Sequence, residues 1–441
     1  MGRWNLNGKD FIAADAGKFF FPLDRRLEIG TEGYSPKILE KIEYAGANAV
    51  SFQQAEQHMR VLGGLEVSGK HIQRITERLG SEREEIRDKD VEAMKAGKLG
   101  VKILNRPKVC AVHVDAGKVQ TRAEDGQGPG VRGEGWNDTK VACLVSYQGV
   151  EYDKDPAPEV PAKLVEREAV RQLCQEMATI HGKSQERKED EAAPKPCKAK
   201  EVQSSKQEVM KSEPLVRTAV ATQEKVERFG WMVAAEAMKR GFYEAVRKAL
   251  LGDGGNWIEP LGDLHFPGWT QILDFLHLVA HLYGAAQAAL GKDTKEAWEF
   301  YKKLVKRAWS GEIGSLIKML ENQSKRIGKP GENTAKDDPR KIVASTLDYV
   351  LKNAKRMNYP QYRQWGLPIS SAPVESLIKQ FNQRVKGTEK FWQPNRVEAI
   401  LQSRAAYLSQ DKRAEEFWKN RKSVGRAVGR NRLHRLLNPV A

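Results

Sequence analysis

Three short segments, far apart in the chain, each place a carboxylate at the end of a predicted strand or at the start of a predicted helix. Asp115 ends a Val-rich run, Asp253 follows the apolar run Ala-Leu-Leu-Gly, and Glu375 follows Ser-Ser-Ala-Pro-Val. Carboxylates so widely separated share a site only when folding assembles it. The chain is therefore predicted to fold so that strands and a helix converge on an acidic centre.

The charge of the chain indicates the kind of partner on which such a centre would act. The sequence has 441 residues, with 74 Lys and Arg against 58 Asp and Glu, which gives a net charge of +16. An excess of this size favours a polyanionic partner such as nucleic acid. A chain of this length is expected to form roughly two to four domains.

The sequence carries no signal for a membrane or for secretion. No run of about 18 or more apolar residues is present, and the N-terminus lacks the apolar core of a secretory signal. Cys110, Cys143, Cys174 and Cys197 form no CxxC pair, which argues against a zinc ribbon and against a disulfide framework. We therefore expect a cytoplasmic protein that is associated with the nucleoid and not with a membrane.

The region 1–100 is predicted to hold DNA-binding helices. Pro36 to about Gly46 fits one helix, Ser51 is placed to cap a second, and Ser68 is placed to cap a third. A glycine pair separates the last two, and this pattern is typical of a helix-turn-helix. In that interpretation the third helix offers to a DNA groove the side chains His71, Gln73, Arg74 and Arg78. The same pattern also fits an ordinary helical hairpin.

The middle of the chain predicts the strands of an α/β core. Apolar runs with the length and composition of strands lie at 109–114, 140–147, 215–222 and 248–251. Helical patterns lie between the last two of these strands and along the stretch that follows them. This order fits an RNase H-like α/β core with a mixed five-stranded sheet, which an all-helical insertion interrupts before the last core helix.

These patterns divide the chain into consecutive segments. In order they are an N-terminal helix-turn-helix-like region (1–100), the first part of the core (101–150), a charged insert (151–213), the second part of the core (214–268), the all-helical insertion (269–365), the last core helix with a following helix (366–411) and a basic helical C-terminal tail (412–441). Apart from one helix predicted near 162–179, the insert is predicted to be flexible because prolines are scattered there among Lys, Glu and Ser.

Three carboxylates in a basic chain suit the cutting and joining of phosphodiesters. Two Mg²⁺ ions roughly 3.5–4 Å apart generate a nucleophilic oxygen and relieve charge on the leaving oxygen. Mg²⁺ prefers oxygen ligands, as does Mn²⁺, so we predict Asp115, Asp253 and Glu375 as the ligands of two such ions. Each residue also fits a simpler role, Asp115 and Asp253 as turn residues and Glu375 as a group that stabilises a helix dipole.

The segment around Glu375 predicts a helix with a functional face. Ser371 or Ser370 is placed to cap this helix, and Pro373 suits its first turn. Glu375 then lies near the positive end of the helix, which favours the ionised form. The same helix carries the predicted DNA contacts Lys379, Asn382, Arg384 and Lys386.

A further group of polar residues follows Asp253 in sequence. Asp274, His277 and His281 have the spacing of one helical face. They fit a metal triad, a hydrogen-bonding role beside the site, or two histidines satisfied at the edge of the core. His113 lies two residues before Asp115, so it is expected on the same face of the strand, in reach of the substrate or of metal-bound water.

These motifs together resemble those of DDE-type transposases of prokaryotic insertion sequences. The similarity covers about residues 20–430 without the insert. The segments that carry it are Leu23-Asp-Arg-Arg-Leu, Ser35-Pro-Lys-Ile-Leu, Val112-His-Val-Asp-Ala-Gly-Lys, Gly252-Asp-Gly-Gly-Asn-Trp-Ile, Phe266-Pro-Gly-Trp-Thr-Gln-Ile-Leu-Asp-Phe-Leu-His-Leu-Val, Gly366-Leu-Pro-Ile-Ser-Ser-Ala-Pro-Val-Glu-Ser, Arg384-Val-Lys-Gly-Thr-Glu-Lys-Phe-Trp and Glu398-Ala-Ile-Leu-Gln-Ser-Arg-Ala.

The resemblance implies a role for each of the acidic residues. It implies Asp115, Asp253 and Glu375 as the catalytic carboxylates of an RNase H-like fold. Asp274-x-x-His277 resembles a signature that several transposase groups carry after the second Asp, and it is implied to lie near the site without being a main metal ligand.

The same resemblance implies an activity and its partners. The activity is Mg²⁺-dependent hydrolysis at the ends of a mobile element, followed by attack of the 3′-OH on target DNA. The implied partners are the terminal inverted repeats and the target DNA, and the cutting of paired ends suggests a homodimer or a higher oligomer. Two other functions stay open: a non-catalytic DNA-binding protein derived from a transposase, and a metal-dependent nuclease without strand transfer.

Overall fold

The computed structural model describes residues 12–14, 18–20, 33–102, 106–121, 135–180, 214–387, 390 and 392–421. Its strands are β1 (Ile12–Ala14), β2 (Lys18–Phe20), β3 (Val109–Thr121), β4 (Gly135–Tyr147), β5 (Pro214–Thr222), β6 (Arg247–Gly252) and β7 (Thr270–Leu273). Its α-helices are α1 (Pro36–Asn48), α2 (Phe52–Gly63), α3 (Gly69–Lys95), α4 (Arg167–Ile180), α5 (Val226–Lys239), α6 (Ile258–His265), α7 (Phe275–Leu290), α8 (Lys295–Trp309), α9 (Ile313–Ile327), α10 (Pro339–Asn353), α11 (Tyr359–Gln364), α12 (Ala372–Val385), α13 (Pro394–Leu408) and α14 (Arg413–Asn420).

The chain divides into two compact units. Unit 1 comprises residues 1–84 with 396–441, and unit 2 comprises residues 85–395. Parts of the predicted first part of the core (122–134), of the insert (181–213) and of the basic tail (422–441) lie outside the described residues.

The helices of unit 1 begin and end largely where the sequence predicts. The Ser51 hydroxyl caps α2 by accepting from the Gln54 amide at 3.0 Å, and Gly64 ends α2 in the left-handed region with φ 61°. α3 begins directly after Ser68, as predicted, and continues through Gly80 to Lys95. A Cβ on Gly80 would lie 2.1 Å from the Ala399 carbonyl oxygen, so this glycine permits close helix packing instead of ending a helix.

Unit 1 also buries a carboxylate that the sequence analysis did not identify. Glu43 is fully buried and accepts two hydrogen bonds from Arg83, at 2.7 and 2.8 Å. The hydroxyls of Ser403 and Tyr407 donate to the same carboxylate at 2.8 and 2.9 Å. These four residues are named the Glu43 cluster. The charge of Glu43 is paired with the charge of Arg83, and two neutral hydroxyls also donate to it.

Unit 2 contains a mixed five-stranded sheet, as predicted, with the order β5-β4-β3-β6-β7. β3 and β5 run antiparallel to β4, whereas β6 runs parallel to β3 and β7 parallel to β6. β7 lies in the range 269–365 that was predicted to be all-helical, and that prediction is wrong for its first residues. The apolar pair Ile272 and Leu273 suits both helical and strand periods, and pairing with β6 buries both side chains.

The two faces of β3 have different neighbours. Cys110, Val112 and Val114 belong to a buried apolar cluster that also contains residues of α5 and α6. Side chains alternate along a strand, so Asp115 lies on the other face together with Gly117. A Cβ on Gly117 would lie 3.5 Å from Ile378 of α12. Asp115 therefore faces the helix that carries Glu375.

The first half of the predicted flexible insert is anchored to the helices of unit 2. Its backbone is held by the Trp309 indole, which donates to the Ala157 carbonyl at 2.8 Å, and by the Tyr301 hydroxyl, which donates to the Leu164 carbonyl at 2.9 Å. The predicted helix near 162–179 is confirmed as α4, whereas the flexibility predicted for residues 151–161 does not fit this structure, because an aromatic group with a polar tip holds the backbone of a segment whose composition resembles a linker.

Cys110, Cys143 and Cys174 are free thiols. In the described part of the chain, every helix is too short or too polar to cross a membrane.

Candidate acidic site at the ends of the parallel strands

Three neighbouring parallel strands bring aspartates to one edge of the sheet. The last residue pair between β3 and β6 is His113 with Leu251, and Asp115 and Asp253 each lie two residues beyond that pair. Asp274 directly follows β7, and its amide donates to the Gly252 carbonyl at 2.9 Å. The carboxyl ends of parallel strands meet at one edge, so folding gathers these three aspartates.

α12 adds a fourth carboxylate from the face of the sheet. Glu375 lies in the first turn of α12 and is 8% exposed. Its Oε1 lies 4.0 Å from Nδ1 of His277, which belongs to α7. Asp115, Asp253, Asp274, His277 and Glu375 are named the acidic site.

Asp115 has the least favourable surroundings for a charge. It is 2% exposed, and its Oδ1 accepts from the Ala116 amide at 2.7 Å. Its Oδ2 is buried and has no hydrogen-bond partner among the described residues. Burial, followed by the charge of Asp253 and, more weakly, that of Glu375, raises the pKa of Asp115 to about 8, although His277 acts in the opposite direction.

Asp274 has the opposite surroundings, because donors surround its carboxylate. Its Oδ2 accepts from the amide and from Nδ1 of His277, at 3.0 and 2.5 Å, and its Oδ1 accepts from the Ser371 amide at 2.7 Å. Burial opposes ionisation, but these hydrogen bonds and the charge of His277 lower the pKa of Asp274. Asp274 therefore serves as the N-cap of α7, and its carboxylate accepts three hydrogen bonds.

His277 supplies positive charge inside the acidic site. Burial disfavours its charged form, but the hydrogen bond and charge of Asp274, with the charges of Asp115 and Asp253, raise the pKa of His277 to about 9. The imidazolium offsets part of the repulsion among the carboxylates.

One set of residues in the acidic site has the spacing of a cation site. Ligand atoms of Asp274, His277 and Glu375 all lie within 4.8 Å of one another. However, Asp274 already accepts three hydrogen bonds and His277 directs Nδ1 at Asp274, so this set forms a hydrogen-bonded cluster. Asp115 offers a buried oxygen without a partner. Asp115, Asp253 and Glu375 all offer carboxylate oxygens, the type of donor that a hard divalent cation prefers.

The loop of Asp253 is held by main-chain contacts. The half-buried carboxylate accepts from the Gly255 amide at 3.0 Å, and the Asp253 carbonyl accepts from the Tyr349 hydroxyl of α10 at 2.7 Å. Gly254 adopts φ 85°, a left-handed conformation that favours glycine. The helical insertion thus contributes directly to the position of this loop.

The two remaining predicted histidines lie outside the acidic site. His113 is fully buried on the Asp115 face of β3 and shares a 2.8 Å hydrogen bond with the Tyr147 hydroxyl. Burial lowers the pKa of His113 to about 4 despite the charge of Asp274, so the ring is neutral near pH 7. His281 is exposed and stacks on Tyr349, with ring centroids 4.0 Å apart.

The predicted DNA contacts on α12 have different surroundings. Lys379 is about half exposed and pairs with Glu176 at 2.7 Å, while Asn382 and Lys386 are partly exposed. Arg384 is 2% exposed, and its guanidinium lies 5.1 Å from the centre of the Trp392 ring. The prediction of Arg384 as a DNA contact does not fit this structure, because its stem and charge pack inside the unit.

The predicted recognition residues on α3 present a mixed surface. Arg74 is exposed. Gln73 donates to Glu77 at 2.7 Å and Arg78 donates to Glu82 at 2.7 Å, so carboxylates engage two of these predicted contacts. The remaining one, His71, lies against Tyr34 with ring centroids 5.8 Å apart.

Ser371 is a residue of the site that the sequence analysis assigned to another role. It precedes α12, as predicted, but its side chain makes no cap hydrogen bond. Its hydroxyl instead donates to Oε1 of Glu375 at 2.9 Å. The sequence signal was available, since residues four apart at a helix start are neighbours.

Comparison with known proteins does not assign a family. No protein-family model matches the chain, and no curated protein matches it. What the chain does is therefore inferred from the residues and the geometry of the acidic site.

Proposed function

We propose that this chain is a DDE-type transposase of an insertion sequence, which hydrolyses DNA at the ends of the element and transfers the 3′-OH ends to target DNA. One observation carries the proposal. Asp115, Asp253 and Glu375 come from three distant segments, yet Asp115 and Asp253 each lie two residues beyond the last pair of β3 with β6, and α12, which carries Glu375, packs on the face of β3 that Asp115 occupies. A buried carboxylate with a raised pKa, such as Asp115 in this cluster, favours a functional role over a structural one.

The topology of unit 2 supports an RNase H-like core. The strand that carries Asp115 is central, the next two strands in sequence extend one side antiparallel, and the last two extend the other side in parallel. α12 packs on the face of β3 that Asp115 occupies. This arrangement agrees with the order of elements expected for such a core.

In this proposal Asp115, Asp253 and Glu375 would hold two Mg²⁺ ions, or Mn²⁺ in their place. When bound, the ions supply a nucleophilic oxygen at neutral pH and stabilise charge on the leaving oxygen. The unpartnered Oδ2 of Asp115 supports this assignment, because a buried carboxylate oxygen without a donor lacks compensation for lost hydration.

The other residues of the chain have binding and orienting roles in the proposal. His277 offsets carboxylate repulsion, and Asp274 fixes His277. Lys379, Asn382 and Lys386 continue along α12 from Glu375 and would contact DNA phosphates, which suits a chain of net charge +16. α3 of unit 1 would contact the terminal repeats, and the cutting of paired ends implies a dimer or a higher oligomer at the nucleoid.

A cleavage and joining assay tests the proposal. The substrate is DNA that carries the inverted repeats flanking the gene, with Mg²⁺ or with EDTA. The wild type is expected to nick and join only with Mg²⁺, and Asp253→Asn is expected to do neither. Asp263→Asn is the matched control, because Asp263 is exposed on α6 and its carboxylate accepts from the Gln271 side chain at 2.8 Å.

Each failure of this assay identifies a different error. A wild type that neither nicks nor joins would exclude the enzyme and leave a DNA-binding protein. Nicking without joining would indicate a nuclease. Equal cutting by Asp253→Asn would show that the site is wrongly assigned.

A further inference from the structure

Ser371 makes two contacts that link separate parts of the acidic site. It is 1% exposed, its amide donates to Asp274 Oδ1 at 2.7 Å, and its hydroxyl donates to Glu375 Oε1 at 2.9 Å. The residue therefore joins the end of β7 to the first turn of α12.

We propose that Ser371 is a positioning residue that orients the Glu375 carboxylate for cation binding. The inference rests on the proposed function, because it assigns a role to Ser371 through the metal ligand Glu375. The bond from Ser371 engages Oε1 of Glu375 and leaves Oε2 as the oxygen that a cation takes.

The main-chain geometry shows that Ser371 is not acting as an ordinary helix cap. A typical N-cap residue is extended and its side chain accepts from a helical amide. Ser371 has φ −83° and ψ 9°, and its side chain makes no cap hydrogen bond. Its hydroxyl is a donor to a charged acceptor, which is a stronger kind of hydrogen bond than one between neutral groups.

The Asp274 contact explains why the Ser371 hydroxyl has a fixed direction. Asp274 is fully buried and is itself held as the N-cap of α7. By accepting from the Ser371 amide, it fixes the main chain from which the hydroxyl projects. Groups that hydrogen-bond a metal ligand in this way typically contribute about 10–100-fold in metal affinity or activity.

The neighbouring serine provides a matched comparison. Ser370 is partly exposed, and its Oγ accepts from the Ala372 amide at 3.2 Å. Ser370 thus stabilises a local turn and makes no contact with Glu375. Ser371→Ala removes only the hydroxyl and keeps the amide that binds Asp274.

The test measures Mn²⁺ binding to the full chain by electron paramagnetic resonance, together with the metal dependence of DNA nicking. Ser371→Ala is expected to weaken Mn²⁺ binding about 10–100-fold and to raise the half-saturating metal concentration for nicking similarly. Ser371→Thr, which keeps a hydroxyl, is expected to recover most of the binding, and Ser370→Ala is expected to match the wild type.

Two comparisons keep this test decisive. The melting temperatures of Ser371→Ala and Ser370→Ala without metal are expected to be similar. If Ser371→Ala loses its fold and Ser371→Thr does not recover it, the positioning role is wrong. Equal Mn²⁺ binding by Ser371→Ala and wild type would also overturn it. Glu375→Gln tests the proposed function separately. If Glu375→Gln retains full Mn²⁺ binding and nicking, both the proposed function and the positioning role of Ser371 fail. If Glu375→Gln loses them and Ser371→Ala does not, only the positioning role of Ser371 fails.

Discussion

Each unit buries carboxylate charge, and the Glu43 cluster of unit 1 and the acidic site of unit 2 differ in what surrounds that charge. In unit 1, Glu43 is held by both arms of the Arg83 guanidinium and by the hydroxyls of Ser403 and Tyr407. Arg83 also stacks on Phe417, 3.8 Å from the ring centre. The charge of Glu43 is thus balanced within the protein.

In unit 2 the charges are not balanced in this way. The acidic site combines four carboxylates, and the positive charge acting on Glu375 comes from His277 and from Lys379 further along α12. Asp115 keeps a buried oxygen without a partner. The surroundings raise the pKa of Asp115 instead of stabilising its charge.

This contrast separates structural from functional burial of charge. Removing one partner of a balanced buried pair leaves an uncompensated charge, so the Glu43 cluster is expected to maintain the fold of unit 1. Removing a carboxylate from a crowded acidic group relieves repulsion, so the acidic site is expected to matter for activity more than for stability. Single-residue variants of the two sites, compared in stability and in activity, distinguish these two roles.

The largest effect is expected on the stability of unit 1. Glu43→Ala leaves the buried Arg83 without its carboxylate and should lower the free energy of unfolding by about 3–5 kcal/mol, measured by urea denaturation. Glu40→Ala is the control, because Glu40 forms an exposed pair with Lys37 on the same helix and should change stability by about 1 kcal/mol or less. Equal effects of the two variants would contradict the structural role of the cluster.

The next effect is on activity with the fold preserved. Asp115→Asn removes the proposed metal ligand and should reduce Mg²⁺-dependent nicking by more than about 100-fold. The same change relieves repulsion, so metal-free stability should stay equal or rise by about 1–2 kcal/mol. A loss of stability as large as that of Glu43→Ala would mean that both carboxylate groups are structural.

The metal-free stability of the chain should depend on pH through two residues of the acidic site. The pKa of Asp115 rises from 3.8 to about 8 on folding, so the folded state holds a proton that the unfolded state loses, and stability falls as pH rises through that window. The pKa of His277 rises from 6.5 to about 9, so its contribution is present below 6.5 and is lost by about 9. Each proton contributes a slope of roughly 1.4 kcal/mol per pH unit.

Thermal melting in EDTA across this pH range measures the effect. The melting temperature of the wild type should fall as the pH rises from about 5 to about 9, because this range covers most of both windows. Asp115→Asn should flatten the slope. A slope unchanged by this substitution would place the titrating group elsewhere.

The smallest effect is expected at the loop of Asp253. Tyr349→Phe removes the hydroxyl that holds the Asp253 carbonyl and should cost about 0.5–1.5 kcal/mol of stability. It should also reduce nicking, whereas Tyr359→Phe, which loses a comparable bond to the Leu273 carbonyl, should affect stability alone. Equal nicking by the two variants would show that the Tyr349 hydroxyl does not contribute to the activity of the site.

The sequence predicts those parts of the site that depend on local pattern. The Val-rich run identifies β3, and the serine and glycine signals locate α1, α2 and the start of α12. The positions of Asp115, Asp253 and Glu375 relative to these elements follow from the same patterns. Local pattern does not determine how close these three carboxylates lie to one another, because that depends on the folded chain.

The remaining features depend on tertiary contacts. β7 is four residues long and apolar, so only pairing with β6 distinguishes it from the helix that follows. Burial of Arg384 requires Trp392 beside it. Arg83, which balances Glu43, lies forty residues away in sequence, a separation that no local pattern can bridge.

Anomalous diffraction from crystals of the full chain bound to a DNA end and Mn²⁺ tests the central claim most directly. We expect a manganese peak in contact with Asp115 Oδ2 and with the carboxylate of Asp253. A peak only between Asp274 and His277, or no peak at Asp115, would contradict it.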